Sequence, residues 1–267
     1  MGLIMSNKGD RFVDLAEVAR VAVPRPTDTY CPVAHEAFIT LVMEKADENL
    51  GLGVPQRQEF GLAQNGQQLF FCLTWDSKKY SDYGFSIAGR NSYNMTLSAG
   101  MAGGGNVGAC SNLMLWGDKF KVLRKHTANV WADLPILIGE TLRSAVAVED
   151  DMQAHFAAMR QVEMTEVQGH AMLGMALGAK VLRPQQATVA FKAWDEDWHD
   201  AGRSHYGLLQ AMTEGTKKGS AGRAVRAHTG VYGYMLDATS EHARVHPQTI
   251  DAEVVAALTR TLPALAA

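Results

Sequence analysis

The sequence predicts an α+β fold: a small antiparallel sheet, made of a β-hairpin plus a third strand, packed by a long helix and followed by a mostly helical C-terminal part. Three observations carry this prediction. Asn65-Gly66 separates two apolar runs, a strong hairpin signal. Tyr83, Phe85 and Ile87 alternate with Gly84, Ser86 and Ala88, the period of a half-buried strand. From Trp131 onward, Leu134, Leu137, Ile138, Leu142, Ala145 and Val146 recur at three- and four-residue steps, the period of an amphipathic helix.

Taken in order, residues 1–30 read as an N-terminal arm with a short amphipathic piece, Phe12 to Val21, stopped by Pro24 and Pro26. A first helix spans His35 to Asn49 and ends at Gly51 and Gly53. The hairpin follows, with Glu59 to Ala63 before the turn and Leu69 to Trp75 after it. After the third strand, Arg90-Asn91-Ser92 reads as a turn, and Gly103-Gly104-Gly105-Asn106 as a hairpin or flexible loop. The long helix is capped by Asn129 or Asp133, with Pro135 in its first turn, and helical pattern continues to Gln161. Thr165-Glu166-Val167-Gln168 is a capping-box start for a helix ending near Gly178. Arg183-Pro184 marks a break, and Trp194 to His199 reads as loop. Ser204 caps a further helix, 215–228 reads as a Gly-rich basic loop, and 232–243 and 251–265 as helices. The domain reading is an arm (1–30), an α+β core (31–200) and a helical C-terminal region with a basic loop (201–267).

The 267 residues are 47% apolar and 20% charged, enough apolar content for a substantial core. The formal charge of −3 excludes a uniformly basic nucleic-acid coat but leaves room for a local basic groove. Cys31, Cys72 and Cys110 are odd in number and widely spaced, which argues against a disulfide scaffold or a CxxC zinc site and fits a reducing compartment. No run of eighteen apolar residues suggests a membrane span, and no export signal is visible, so the expected location is the (host) cytoplasm.

Most chemical motifs reduce to structure. The Gly103–Asn106 run lacks the Lys-Ser/Thr of a P-loop. Cys110 would act as a nucleophile only with an imidazole such as His126 beside it, and no protease signature surrounds it. His242 and His246 stand four apart, as a metal pair requires, but have no third ligand and no intervening Glu, and Pro247 follows. Glu149, Asp150 and Asp151 are consecutive and do not converge on one point. No catalytic residue, metal or cofactor is expected.

Two basic stretches are more informative. Lys119, Lys121, Arg124 and Lys125 stand against Asp118 alone, flanked by Trp116 and Phe120. Lys217, Lys218, Arg223 and Arg226 lie in 215–228 with no acid, and Tyr232 and Tyr234 follow. Positive charge along a phosphate backbone, with aromatic faces for bases, is what a single-strand binder needs. Arg90 completes the expected phosphate contacts.

Gly89-Arg90-Asn91-Ser92 leading to Gly108-Ala109-Cys110-Ser111-Asn112-Leu113 resembles a block of a phage/plasmid-like protein family, domain of unknown function 932. Arg124-Lys125-His126-Thr127-Ala128-Asn129-Val130 is similar to that family's "RHTGNV" block, and Ser204 to Glu214 to a later helix, so the blocks span about 30–240. Arg90-Asn91 stands where the family has His-Asp, and Ala128 where it often has Gly. The resemblance implies a mobile-element context near replication and recombination, and the family carries no agreed enzyme activity to transfer. The order of helix, hairpin, strand and long helix is also similar to Redβ/RecT-type single-strand annealing proteins, an analogy of fold only.

The expected function is therefore a phage- or plasmid-type DNA-metabolism protein that binds single-stranded nucleic acid, with annealing or recombination carried out as a homo-oligomer. The alternative is a protein-binding factor of a mobile element, serving anti-defence or assembly. No membrane partner is expected.

Overall fold

A computed structural model describes residues 11–76, 83–107, 113–115, 121–196, 202–217 and 221–252. The fold is α+β, with an antiparallel sheet and a helical C-terminal part. The chain divides into two compact units, Met1–Val146 and Ala147–Ala267, and the division falls inside one long helix.

The first unit is built on the sheet. Its strands are β1 (Arg11–Val13), β2 (Arg57–Ala63), β3 (Gln68–Asp76), β4 (Tyr83–Ser92), β5 (Ala99–Val107), β6 (Leu113–Leu115) and β7 (Lys121–Arg124). They pair antiparallel in the order β1-β2-β3-β4-β5, and both β6 and β7 pair with β5. The arm is thus partly in the sheet: β1 pairs with β2, and α1 (Leu15–Ala19) is capped by Asp14, whose Oδ1 accepts from the Glu17 N–H at 2.7 Å. The β2–β3 connection is a four-residue loop in which Gln64, Asn65 and Gly66 all take positive φ (51°, 57° and 85°), the conformation Asn and Gly tolerate best.

One face of the sheet is the core. Leu69, Phe71, Leu73 and Trp75 of β3 point to it, register with Asn91, Gly89, Ile87 and Phe85 of β4, and are buried. The helix α2 (His35–Leu50) lies on this face, its Phe38 ring edge-on to Phe71 at 5.7 Å, and ends at Gly51 in the left-handed region (φ 61°).

Two expectations change here. Arg90-Asn91-Ser92 is not a turn but the end of β4, and the turn follows at 93–98. Gly103 to Asn106 is no loop: it is the middle of β5, registered Gly103 to Ile87 and Gly105 to Phe85. Small residues there sit directly opposite the large core side chains of β4, which glycine accommodates in a strand.

The helix α3 (Val130–Gln161) begins directly after Asn129, one of the two expected cap positions, so Pro135 lies in its second turn rather than its first and removes one backbone hydrogen bond there. In the first unit its buried stripe is Val130, Leu134, Ile138 and Leu142, with Trp131 turned outward.

The second unit comprises residues 147–161 of α3 with α4 (Glu166–Gly178), α5 (Pro184–Asp195), α6 (His205–Thr216) and α7 (Ala221–Val245). The capping box forms as expected: Thr165 Oγ1 accepts from the Gln168 N–H at 3.2 Å, and Gln168 Oε1 accepts from the Thr165 N–H at 2.7 Å. Arg183-Pro184 opens α5, with Pro184 at its first turn, and α5 continues through Trp194. The expected loop from Trp194 is therefore corrected at Trp194 and Asp195; 197–201 lie outside the described residues. Trp194 is buried because its ring lies on Gly169 of α4, where an added Cβ would stand 2.2 Å from it. The central helix is α6, capped by Ser204 and buried along nearly its whole length. The expected loop over 215–228 is mostly helix, with α6 running to Thr216 and α7 beginning at Ala221. Among the described residues no helix is long and apolar enough to cross a membrane.

Candidate nucleic-acid interface

The candidate interface lies on the side of the sheet opposite α2. Phe71 points to the core, so its neighbour Phe70 points the other way, and so does Arg90, directly across from Phe70 on β4. The register extends this pair into a row: Phe12, Gly61, Phe70, Arg90, Gly100 and Leu123 stand side by side on β1, β2, β3, β4, β5 and β7. Phe12 is 50% and Leu123 46% exposed, and Phe70 and Arg90 are half-buried. Gly61 and Gly100 bring no side chain of their own to the row. Over Gly100 the Leu123 side chain fills the space, and an added Cβ would stand 2.5 Å from its Cδ2. Farther along the strands this face closes, with Cys72, Thr74 and Ser86 buried and Thr74 hydrogen-bonded to Ser86 at 2.9 Å.

Arg90 is the electrostatic centre of the row. Burial lowers its guanidinium pKa from the ordinary value, and among the described residues no carboxylate lies within ion-pair distance of it. A half-buried cation without a counter-ion has lost part of its hydration without electrostatic compensation, which an anion would supply.

Asn91, one residue on, faces the opposite way into a closed polar cluster. Its Nδ2 donates to the Val33 carbonyl (2.6 Å) and to His35 Nδ1 (3.0 Å), and its Oδ1 accepts from His126 Nε2 (2.7 Å). His35 Nε2 donates to the Gly66 carbonyl at 3.0 Å, and the Tyr93 ring stacks on His35 at 3.8 Å. The Tyr93 hydroxyl accepts from the His35 N–H at 2.9 Å. Burial pushes His35 down to about 4 and lowers His126, so both imidazoles are neutral at pH 7. The cluster ties α2, the hairpin loop, β4 and the segment before α3 together, and thereby fixes the strand that carries Arg90. Two of the sequence blocks, 89–92 and 124–130, thus meet through Asn91 and His126.

The remaining predicted residues distribute differently. Arg124 is ion-paired to Asp133, its Nε 2.6 Å from the carboxylate. Lys217 is ion-paired to Glu214. Lys125 is exposed, with no carboxylate in ion-pair distance among the described residues. Lys121 takes the register position opposite Ala102 on β7. Tyr232 hydrogen-bonds through its hydroxyl to His155 Nδ1 and packs edge-on against Phe156, and burial raises its pKa. Tyr234 donates to the Met172 carbonyl at 3.0 Å. Both tyrosines are used within the helical unit. Trp116, Lys119, Phe120 and Lys218 lie outside the described residues, as does Cys110; Arg223 and Arg226 fall on the first two turns of α7. His242 faces His246 at 5.0 Å between rings, and its Nε2 is hydrogen-bonded to Thr249 at 3.0 Å.

Sequence reasoning missed Phe12, Phe70 and Leu123, and the pairing of His35 with Asn91. The alternation within each strand was readable; the register that aligns six strands into one row was not. Comparisons with protein-family models, curated proteins and solved structures return no match to this chain.

Proposed function

We propose that the chain binds single-stranded nucleic acid across the row Phe12–Phe70–Arg90–Leu123, within phage- or plasmid-type DNA metabolism. The observation that carries this reading is Arg90, half-buried in an open sheet face and without a carboxylate partner among the described residues. A phosphate supplies the missing anion, and Phe70 and Phe12 supply faces for bases, a combination that tolerates any sequence. Lys125 adds a second cation in the same unit. The ion pairs of Arg124 and Lys217 leave fewer cations per subunit than the composition suggests. Few phosphate contacts per chain favour several copies along one strand, so binding as a homo-oligomer, with annealing as its outcome, follows from the same accounting.

Fluorescence anisotropy with labelled oligo-dT tests the reading. Affinity falls as salt rises, Arg90→Gln weakens binding at least tenfold with a smaller salt slope, and Phe70→Leu weakens it with the slope unchanged. Equal binding by wild type and Arg90→Gln, or binding indifferent to salt, refutes it. A matched duplex that competes as well as the single strand refutes the single-strand preference.

A further inference from the structure

We propose that Glu166, His170 and Asp195 form a binding site for a first-row divalent transition-metal cation, independent of the nucleic-acid reading. Glu166 and His170 are four residues apart on α4, which puts both on one helix face. Asp195 is the last residue of α5, and His170 Nε2 lies 2.5 Å from its Oδ1. One ligand atom from each of the three residues lies within 4.8 Å of the other two, the only such grouping of three among the described residues. Ligands of a cation bound at ~2.0–2.2 Å stand about 3.4 Å apart. The His170–Asp195 contact therefore opens by about 1 Å and Glu166, within 4.8 Å of both, closes by at most about 1.4 Å, through rotation of the exposed Glu166 and Asp195 carboxylates beside the half-buried imidazole.

The backbone beneath these ligands is fixed. Gly169, between the two α4 ligands, packs against the Trp194 ring, and Trp194 Nε1 donates to the Glu166 carbonyl at 3.1 Å. On the other side Arg203 stacks over Trp194, 4.6 Å from the ring centre, and donates to the Trp194 and Asp195 carbonyls. The guanidinium is thus spent on backbone oxygens, and no ion pair of Arg203 with the Asp195 carboxylate occurs among the described residues. Ligands carried by two helices locked together at one tryptophan are preorganised. The set holds one imidazole nitrogen and two carboxylates, a net −2 that matches a dication. An imidazole ligand favours Zn²⁺, Co²⁺ or Ni²⁺ over Mg²⁺ or Ca²⁺, which prefer oxygen alone. Exposure leaves the remaining coordination positions to water.

Calorimetric titration of the full chain with Zn²⁺, paired with the visible absorption of bound Co²⁺, tests the site. Wild type takes up one cation; His170→Ala and Asp195→Asn each lower affinity at least tenfold and remove the Co²⁺ band. Glu166→Gln, at an exposed position in the first turn of α4, also weakens binding without touching the core, and its circular dichroism confirms the fold. His242→Ala, which alters the His242–His246 imidazole pair, leaves binding unchanged. Absence of Zn²⁺ uptake by wild type, or uptake by His170→Ala and Glu166→Gln equal to wild type, overturns the proposal. So does loss of uptake in His242→Ala alone.

Discussion

His35 makes the stability of the sheet unit depend on pH, and the dependence can be worked out. In the folded chain its Nδ1 accepts from Asn91 and its Nε2–H donates to Gly66, so a second ring proton would meet the Asn91 amide head-on. The groups around the ring are the neutral His126, the stacked Tyr93, the Asn91 amide and backbone, and among the described residues no carboxylate favours a cation there. The imidazole therefore titrates near 4 when folded and near 6.5 when unfolded. Between those values the unfolded chain binds the extra proton, so the contribution is complete above about pH 6.5 and is lost as pH falls. For this one group the loss is roughly 2 kcal/mol at pH 5 and about 3 kcal/mol at pH 3. Urea unfolding of wild type and His35→Gln at pH 7 and pH 5, followed by near-UV circular dichroism, measures it. The variant starts lower at pH 7 but loses about 2 kcal/mol less between the two values. His155, His205 and His228, also held near 4 by burial, are present in both proteins and cancel in the comparison. Equal losses by wild type and variant would refute the account of His35.

Gly169→Ala destabilises the helical unit by about 2 kcal/mol, because the new methyl enters the Trp194 ring, whereas Gly174→Ala, with nothing within 4 Å, stabilises by about 0.5–1 kcal/mol; thermal unfolding of the pair checks the opposite signs. Thr165→Ala removes the capping box of α4 and costs about 1 kcal/mol in the same assay. Cys72, buried with its thiol pushed up to about 12, resists alkylation at pH 8 in native buffer and reacts only in denaturant, as peptide mass spectrometry resolves.

What could be read from the sequence was local. Thr165 and Gln168 satisfy each other three residues apart, and Asn65-Gly66 supplies positive φ wherever the strands lead, so both features were legible without a fold. Gly103–Gly105 were not, since a glycine run is loop by propensity and becomes strand only because Ile87 and Phe85 lie across from it. The α5 helix was hidden for a related reason. Its buried face is three alanines, Ala187, Ala190 and Ala193, with Trp194 at the end; the alanines give little hydrophobic period, and Trp194 finds its place only against Gly169. The basic stretches show the limit for charge: composition counts Arg124 and Lys217 as free cations, while Asp133 and Glu214 neutralise them nine and three residues away.

Strand alternation gives neighbouring residues of β4 separate tasks. Gly89 leaves space for the Phe71 ring in the core, Arg90 faces outward beside Phe70, Asn91 turns inward to bridge two imidazoles, and Ser92 closes the following turn by accepting from Leu97 N–H and donating to its carbonyl at 2.9 Å each. Residues 89–92 therefore combine packing, an exposed cation and the hydrogen bonds that hold it in place. Arg90 turns that outward position into a fixed positive charge, and Asn91, uncharged, can satisfy His35 and His126 at once without drawing a proton into the core. A carboxylate at 91 would instead favour a protonated imidazole there. Neutral core and cationic face are thus adjacent consequences of one dipeptide, and the acid sensitivity of the first bears on how firmly the second is presented.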